Sequence, residues 1–138
     1  IGGCTNKIIN TIEESGGSIV AYELCSSIRN NRELVDENNP DVYDALAKKY
    51  LNIGCACMMN NDKRIQLIDE LIEEFKIDGV IDIALQSCHT FNVESNRIKE
   101  FVVNDKKIHY MAIETDYSQS DTEQLRTRFE AFIEMIES

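Results

Sequence analysis

The stretch Asp78-Gly-Val-Ile-Asp-Ile-Ala-Leu-Gln-Ser-Cys-His-Thr-Phe-Asn-Val-Glu-Ser95 decides how the chain reads. Val80 to Leu85 is an apolar run rich in β-branched residues, bounded by Asp78-Gly79 before it and by polar residues after it. That is the pattern of a short strand buried on both faces. From Thr90 to Glu94 a helical pattern opens, carried on by Phe91, Ile98, Phe101 and Val102. Cys88 lies between strand and helix, with His89 directly after it. Open α/β sheets bind ligands at the carboxyl ends of their parallel strands, so a thiol here is a candidate for chemistry. A cysteine also fills a turn as a small apolar side chain, and alone it decides nothing. Cys4 and Cys25 follow strand-like runs too, which gives the position its weight. His89 need not face the same side as Cys88 and is assigned no role.

Working outward, Ile1-Gly2-Gly3-Cys4 reads as the tail of a strand that begins before Ile1, and the chain as a piece of something longer. Lys7 to Glu14 reads as a helix with Ile8, Ile9 and Ile12 on its apolar side and Gly16-Gly17 as its stop. Ile19–Leu24 follows as a strand with Cys25 at its end. Ser26 to Pro40 is polar and rich in asparagine, the composition of an irregular surface excursion. Asp41 to Asn52 is expected as a helix with Val42, Ala45, Leu46 and Lys49 on one face, running into Gly54-Cys55-Ala56-Cys57. Asp62 is expected to cap the next helix, whose Ile65, Ile68, Leu71, Ile72 and Phe75 form a core stripe. Ile108–Ile113 is expected as the last strand, with His109 structural. The closing helix carries Leu125, Phe129, Phe132, Ile133 and Ile136. The alternation predicts an α/β fold, a single three-layer domain with a four-stranded parallel sheet, Rossmann-like or flavodoxin-like, its first strand truncated.

Composition bounds the function. The chain has 138 residues, 43% of them hydrophobic, enough for one core and too few for two. With 14 basic and 25 acidic residues the net charge is −11, which argues against nucleic-acid and anionic-membrane partners. No apolar run approaches the roughly 18 residues of a membrane span. No signal peptide is legible, and a cytoplasmic chain is expected. Five cysteines, an odd number, then point to reduced thiols or metal ligands rather than disulfides. Cys4, Cys25 and Cys88 would gather along one edge of a doubly wound sheet, with Cys55 and Cys57 in a loop able to reach it. Converging thiolates suit iron–sulfur clusters, and buried inert thiols are the alternative. No glycine-rich phosphate loop is present.

Several blocks together carry a resemblance: Gly3-Cys4, Ile12-Glu-Glu-Ser-Gly-Gly17, Tyr22-Glu-Leu-Cys25, Asp78-Gly-Val-Ile81, Gln86-Ser-Cys-His89, Ile113-Glu-Thr-Asp-Tyr117 and Gln124-Leu-Arg-Thr-Arg-Phe-Glu-Ala-Phe132. The chain resembles, over essentially its whole length, the C-terminal domain of the 2-hydroxyacyl-CoA dehydratase (D component) and benzoyl-CoA reductase family. The resemblance implies that residues 1–138 form the C-terminal α/β domain of a larger iron–sulfur subunit. Such enzymes take one electron from an ATP-hydrolysing iron–sulfur activator protein, and the dehydratases eliminate water from a 2-hydroxyacyl-CoA through a ketyl radical. Cys88 then matches the cluster ligand of this domain, the remaining ligands of a 4Fe-4S cluster come from an N-terminal domain, and a second subunit is a further partner that the resemblance suggests. Cys4, Cys25, Cys55 and Cys57 exceed what a dehydratase domain requires, and this pattern is closer to the branch with a double-cubane cluster, whose members reduce small non-CoA substrates. A metal-free α/β interaction domain is the third alternative. In isolation these 138 residues are expected to hold no intact cluster and to be inactive.

Overall fold

A computed structural model describes the backbone of residues 2–25, 27–58 and 60–138 and the side chains from residue 6 onward, Ser26 and Met59 excepted. Its centre is a parallel pair of strands, β1 (Gly79–Leu85) and β2 (His109–Thr115), in the register Gly79 to His109 through Leu85 to Thr115. Helices α1 (Gly2–Glu14), α2 (Ile28–Asn31), α3 (Val42–Leu51) and α4 (Asp62–Phe75) precede β1. Helix α5 (His89–Glu100) joins β1 to β2, and α6 (Thr122–Glu137) closes the chain.

The two faces of the sheet are buried by different helices. Ile81, Ile83 and Leu85 alternate along β1 toward α1 and α6, where they meet Ile8, Ile12, Leu125 and Phe129. Val80, Ile108 and Tyr110 point the other way, to Ile68 and Ile72 of α4 and to Ile98 and Val102. This period-two sorting places helices on both sides of the strands. Asp82 interrupts the apolar run of β1, and the structure accounts for it: the Tyr110 hydroxyl on the neighbouring strand donates to its Oδ2 at 2.8 Å. Beyond Glu100 the helix widens into a π turn over Phe101–Lys106, which buries Val102 completely before Lys107 ends it in the left-handed region at φ 58°.

The expected helix ends are where glycine and aspartate chemistry put them. Gly16 stands at φ 95°, and the Gly17 N–H returns to the Ile12 carbonyl at 3.0 Å, closing α1. The Asp41 carboxylate accepts from the N–H groups of Tyr43 and Asp44, capping α3. At α4 the expectation shifts by one residue. Asn61 holds the cap position, and Asp62 is the first helical residue, its carboxylate paired with Arg97.

Five expectations are corrected. Among the described residues the sheet has two strands, not four, so the fold is α/β with a small parallel sheet. Ile19–Leu24 has the residues of a strand but forms no ladder, because among the described residues no partner backbone pairs with it. Gly2-Gly3-Cys4 opens α1 instead of ending a strand. Within the excursion at residues 26–40, Ile28–Asn31 forms a single helical turn, held because it buries Arg29. On α3 only Ala45 is buried, while Val42, Tyr43, Tyr50 and Leu51 stay exposed. No helix among the described residues is long and apolar enough to cross a membrane.

Candidate functional site

The carboxyl end of β1 opens onto a pair of buried guanidinium groups. Arg64 enters from the first turn of α4 and Arg29 from the short α2; both are less than a tenth exposed. Glu23 bridges them, with Oε2 2.9 Å from Arg64 Nη2 and Oε1 2.9 Å from Arg29 Nε. The second contact has the distance of an ion pair without the alignment of a hydrogen bond, which leaves Glu23 Oε1 and Arg29 Nε otherwise unpartnered. Glu94 of α5 completes the group, 3.3 Å from Arg64 Nη1 and accepting from the Asn61 amide at 2.8 Å. The Phe91 ring lies beneath both cations, 4.6 Å from the Arg64 carbon and 5.8 Å from that of Arg29. Burial pushes the Glu23 carboxyl above its ordinary range, against the opposing pull of Arg64 and Arg29.

Cys25 and the loop of Cys55 and Cys57 lie beside this pair. Cys25 Sγ is 3.9 Å from Arg29 Nη2, and Arg29 Nη1 donates to the Gly54 carbonyl at 3.1 Å, fixing the start of the Cys55-Ala56-Cys57 loop. The Asn61 amide holds the same loop through the Cys55 carbonyl at 2.9 Å. Gly54 is required there, since a Cβ would sit 2.6 Å from the Arg64 backbone nitrogen. Within the loop the Cys55 and Cys57 sulfurs are 3.3 Å apart. The Cys57 backbone N–H, then its thiol and the two arginines, lower the Cys55 pKa; the hydrogen bond and charge of Cys55 in turn raise that of Cys57.

Cys88 is half-buried and occupies the residue just before α5, so the expected helix start near Thr90 is met within one residue. Its Sγ is 3.8 Å from Thr90 Oγ1. Cys88 and Cys25 line one cavity of about 660 Å³ together with Arg64 and Phe91. The side chain of Cys4 lies outside the described residues. Cys25, Cys55, Cys57 and Cys88 are free thiols, but no three metal-binding side chains among the described residues converge on one point. Soft thiolate donors beside two cations fit an iron–sulfur cluster by their chemistry. By their geometry they supply a share of a ligand set, not a closed one. His109 stands at the strand end with its ring edge-on to Phe132, a structural contact, and His89 is exposed.

A second constellation closes the end of β2. The Lys7 ammonium, 1% exposed, reaches Thr115 Oγ1 at 2.8 Å, Asp121 Oδ1 at 2.7 Å and the carbonyls of Asp116 and Ser118 at 3.0 and 2.8 Å. Thr115 also donates to Asp121 Oδ2 at 2.6 Å. These bonds lower the Asp121 carboxyl although burial opposes them. The strand-to-helix loop carrying Tyr117 is therefore tied to α1.

Sequence reasoning missed Lys7, Glu23, Arg29 and Arg64. The signal was present for two of them: Lys7 precedes Thr11 by four residues, and Arg64 precedes Ile68 by four, which places both on buried helix faces.

Residues 1–136 match the family of the 2-hydroxyglutaryl-CoA dehydratase, D-component. The chain belongs to this family. It is 51% identical over 136 residues to the putative dehydratase subunit YjiM of Escherichia coli (strain K12), covering 99% of this chain and 35% of that protein. It is 29% identical over 133 residues to the (R)-phenyllactyl-CoA dehydratase beta subunit of Clostridium sporogenes, covering 96% of this chain and again 35% of the relative. This family member thus spans about a third of the length of the curated relatives it matches.

Proposed function

We propose that the chain is the C-terminal domain of an iron–sulfur dehydratase subunit that removes water from a 2-hydroxyacyl-CoA, using one electron from an ATP-hydrolysing activator protein. The observation that supports this reading is that Cys25 and Cys88 line one cavity with Arg64, and that Arg29 contacts both Cys25 and the start of the Cys55–Cys57 loop, in a chain of this family. The phenyllactyl-CoA dehydratase among its relatives has a 2-hydroxyacyl thioester in its name, which supports the substrate class.

Cys88, Cys25, Cys55 and Cys57 would hold the cluster from this side, with Cys4 a further candidate by its place in the sequence; residues outside the chain would supply the rest. When bound, such a cluster supplies electrons singly. The chain's own residues lower the Cys55 pKa and fix the position of its loop. Arg29 places the Cys55 loop through Gly54 and lends positive charge to Cys25 and Cys55. Glu23 and Glu94 keep the arginines from carrying a net charge into the core. Reduced thiols of this kind suit a cytoplasmic compartment.

The number of cysteines favours a second reading, a double-cubane cluster in a reductase of a small non-CoA substrate. Iron and sulfide analysis of the full-length protein, purified anaerobically, separates the readings, together with Cys88→Ser, Cys55→Ser and Cys4→Ser variants assayed with an activator and a 2-hydroxyacyl-CoA. A single cubane predicts about four irons, with Cys88→Ser losing cluster and turnover while the other two are milder. A double cubane predicts about eight, with comparable losses in all three. Full iron and full activity in Cys88→Ser would remove the proposal.

A further inference from the structure

We infer that the segment directly preceding Ile1 in the full-length protein is a parallel strand that fills the slot between residues 18–24 and β1. The inference rests on the fold and on the length of the relatives, not on the chemistry proposed above.

The cavity of about 660 Å³ lies within the layer of the sheet. Ile8 and Ile12 of α1 close it on one face, and Ile68, Leu71 and Ile72 of α4 close it on the other. Its remaining walls are Ile19–Leu24 and Val80–Ile83. β1 bonds to β2 along one edge only, so its other edge presents N–H and C=O groups to the slot. Among the described residues, 18–24 have no ladder partner either. Two unpaired backbone edges facing each other across a space that is apolar above and below are satisfied together by one inserted strand. A side chain or a small ligand would leave most of those groups unmatched.

The helices give the same answer independently. From residues 18–24 the chain reaches β1 through α4, and from β1 it reaches β2 through α5, both on one face of the sheet. The helix before residues 18–24 is α1, which packs on the opposite face with α6. Crossovers between parallel strands are right-handed in nearly every case, so a helix on the opposite face means a step in the opposite direction along the sheet. The strand that feeds α1 must then lie on the β1 side of residues 18–24, which is the slot. Lys7 sets the N-terminal part of α1 at the carboxyl end of β2, where a strand parallel to β1 would deliver the chain. The curated relatives are nearly three times as long as this chain, so the whole protein has residues to provide it.

The order would be 18–24, the inserted strand, β1, β2. The inserted strand and β1 send their crossovers to opposite faces, which makes the space beyond their ends the binding crevice of such a sheet. Gly2–Cys4 follows one of these strands and Gln86–Cys88 the other.

Hydrogen exchange on the full-length protein, read at single amides over residues 18–25 and 79–85, tests this. Alternate amides on the slot side of β1 and in residues 18–24 should exchange at least roughly 100-fold more slowly than open chain. Fast exchange there would overturn the inference, since the slot would then be open or hold a ligand. Slow exchange alone would also follow if residues 18–24 paired directly with β1, so a second measurement separates the two. Across an intervening strand the backbones are about 9.6 Å apart, beyond the roughly 7 Å a disulfide spans. Val20→Cys or Tyr22→Cys combined with Ile81→Cys or Ile83→Cys should give no cross-link under mild oxidation, read by mass spectrometry. A cross-link in any pair would overturn the inference. Where a double variant fails to fold, proximity labels in the unaltered protein decide: nuclear Overhauser contacts between residues 18–24 and the segment before Ile1 support it, and contacts directly to β1 overturn it.

Discussion

Lys7→Met removes the ammonium at the end of β2 and keeps most of the volume of its stem. Lys7 has three N–H donors among four acceptors: Thr115 Oγ1, Asp121 Oδ1 and the carbonyls of Asp116 and Ser118. Thr115 keeps its bond to Asp121, so its loss is small. The two carbonyls lose their donor, at about 1–3 kcal/mol for each that water cannot reach. Asp121 is a quarter exposed and is partly rehydrated, so its share falls toward the 0–1 kcal/mol of a surface pair. The net expectation is a loss of about 3 kcal/mol, well short of the 3–5 kcal/mol range's upper end for a fully buried broken pair. Urea unfolding of the full-length protein measures it, and hydrogen exchange over residues 112–122 localises it. The penalty should shrink in acid. Asp121 is depressed in the folded state, so its contribution is present above the ordinary carboxylate pKa near 3.8 and is lost as pH falls through the lower folded value. A Lys7→Met protein within 0.5 kcal/mol of the parent, with the 116–121 loop exchanging no faster, would refute the reasoning.

Arg64→Leu leaves Glu23 and Glu94 facing each other in the interior and should cost about 3–5 kcal/mol in chemical unfolding, whereas Glu23→Gln should cost less, because burial already disfavours that carboxylate. Since the Glu23 pKa is raised, its contribution is fully present below the unfolded value near 4.5 and falls as pH rises through the folded one; Glu23→Gln should flatten that limb of a stability–pH curve. Gly54→Ala forces a methyl onto the Arg64 backbone and should cost about 1–3 kcal/mol by overpacking, with faster exchange in the 53–60 loop as the local readout.

What the sequence disclosed is local. β1 and α5 were legible to within a residue because a strand buried on both faces and a helix start are written in adjacent side chains. Parallel pairing followed from the alternation of elements. Ile19–Leu24 has the same local signature and forms no strand, because a strand needs a neighbour that its own residues do not specify. The position of Cys88 at the strand end was legible for the same local reason. The charges around it were not: Glu23 meets Arg64 across 41 residues and Arg64 meets Glu94 across 30, distances at which a single sequence holds no pattern.

The Lys7 knot has a consequence for biosynthesis. Its partners lie 108 to 114 residues further along, so α1 leaves the ribosome long before Thr115, Asp121 and helix α6 exist to receive it. Until then the helix carries an unpaired ammonium beside Ile8 and Ile12, an amphipathic face with nothing to cover it. Closure of so long a loop is late and slow. Emergence of residues 115–137 therefore sets the moment at which α1 can be covered, and a nascent chain stalled before Asp121 would present α1 to chaperones.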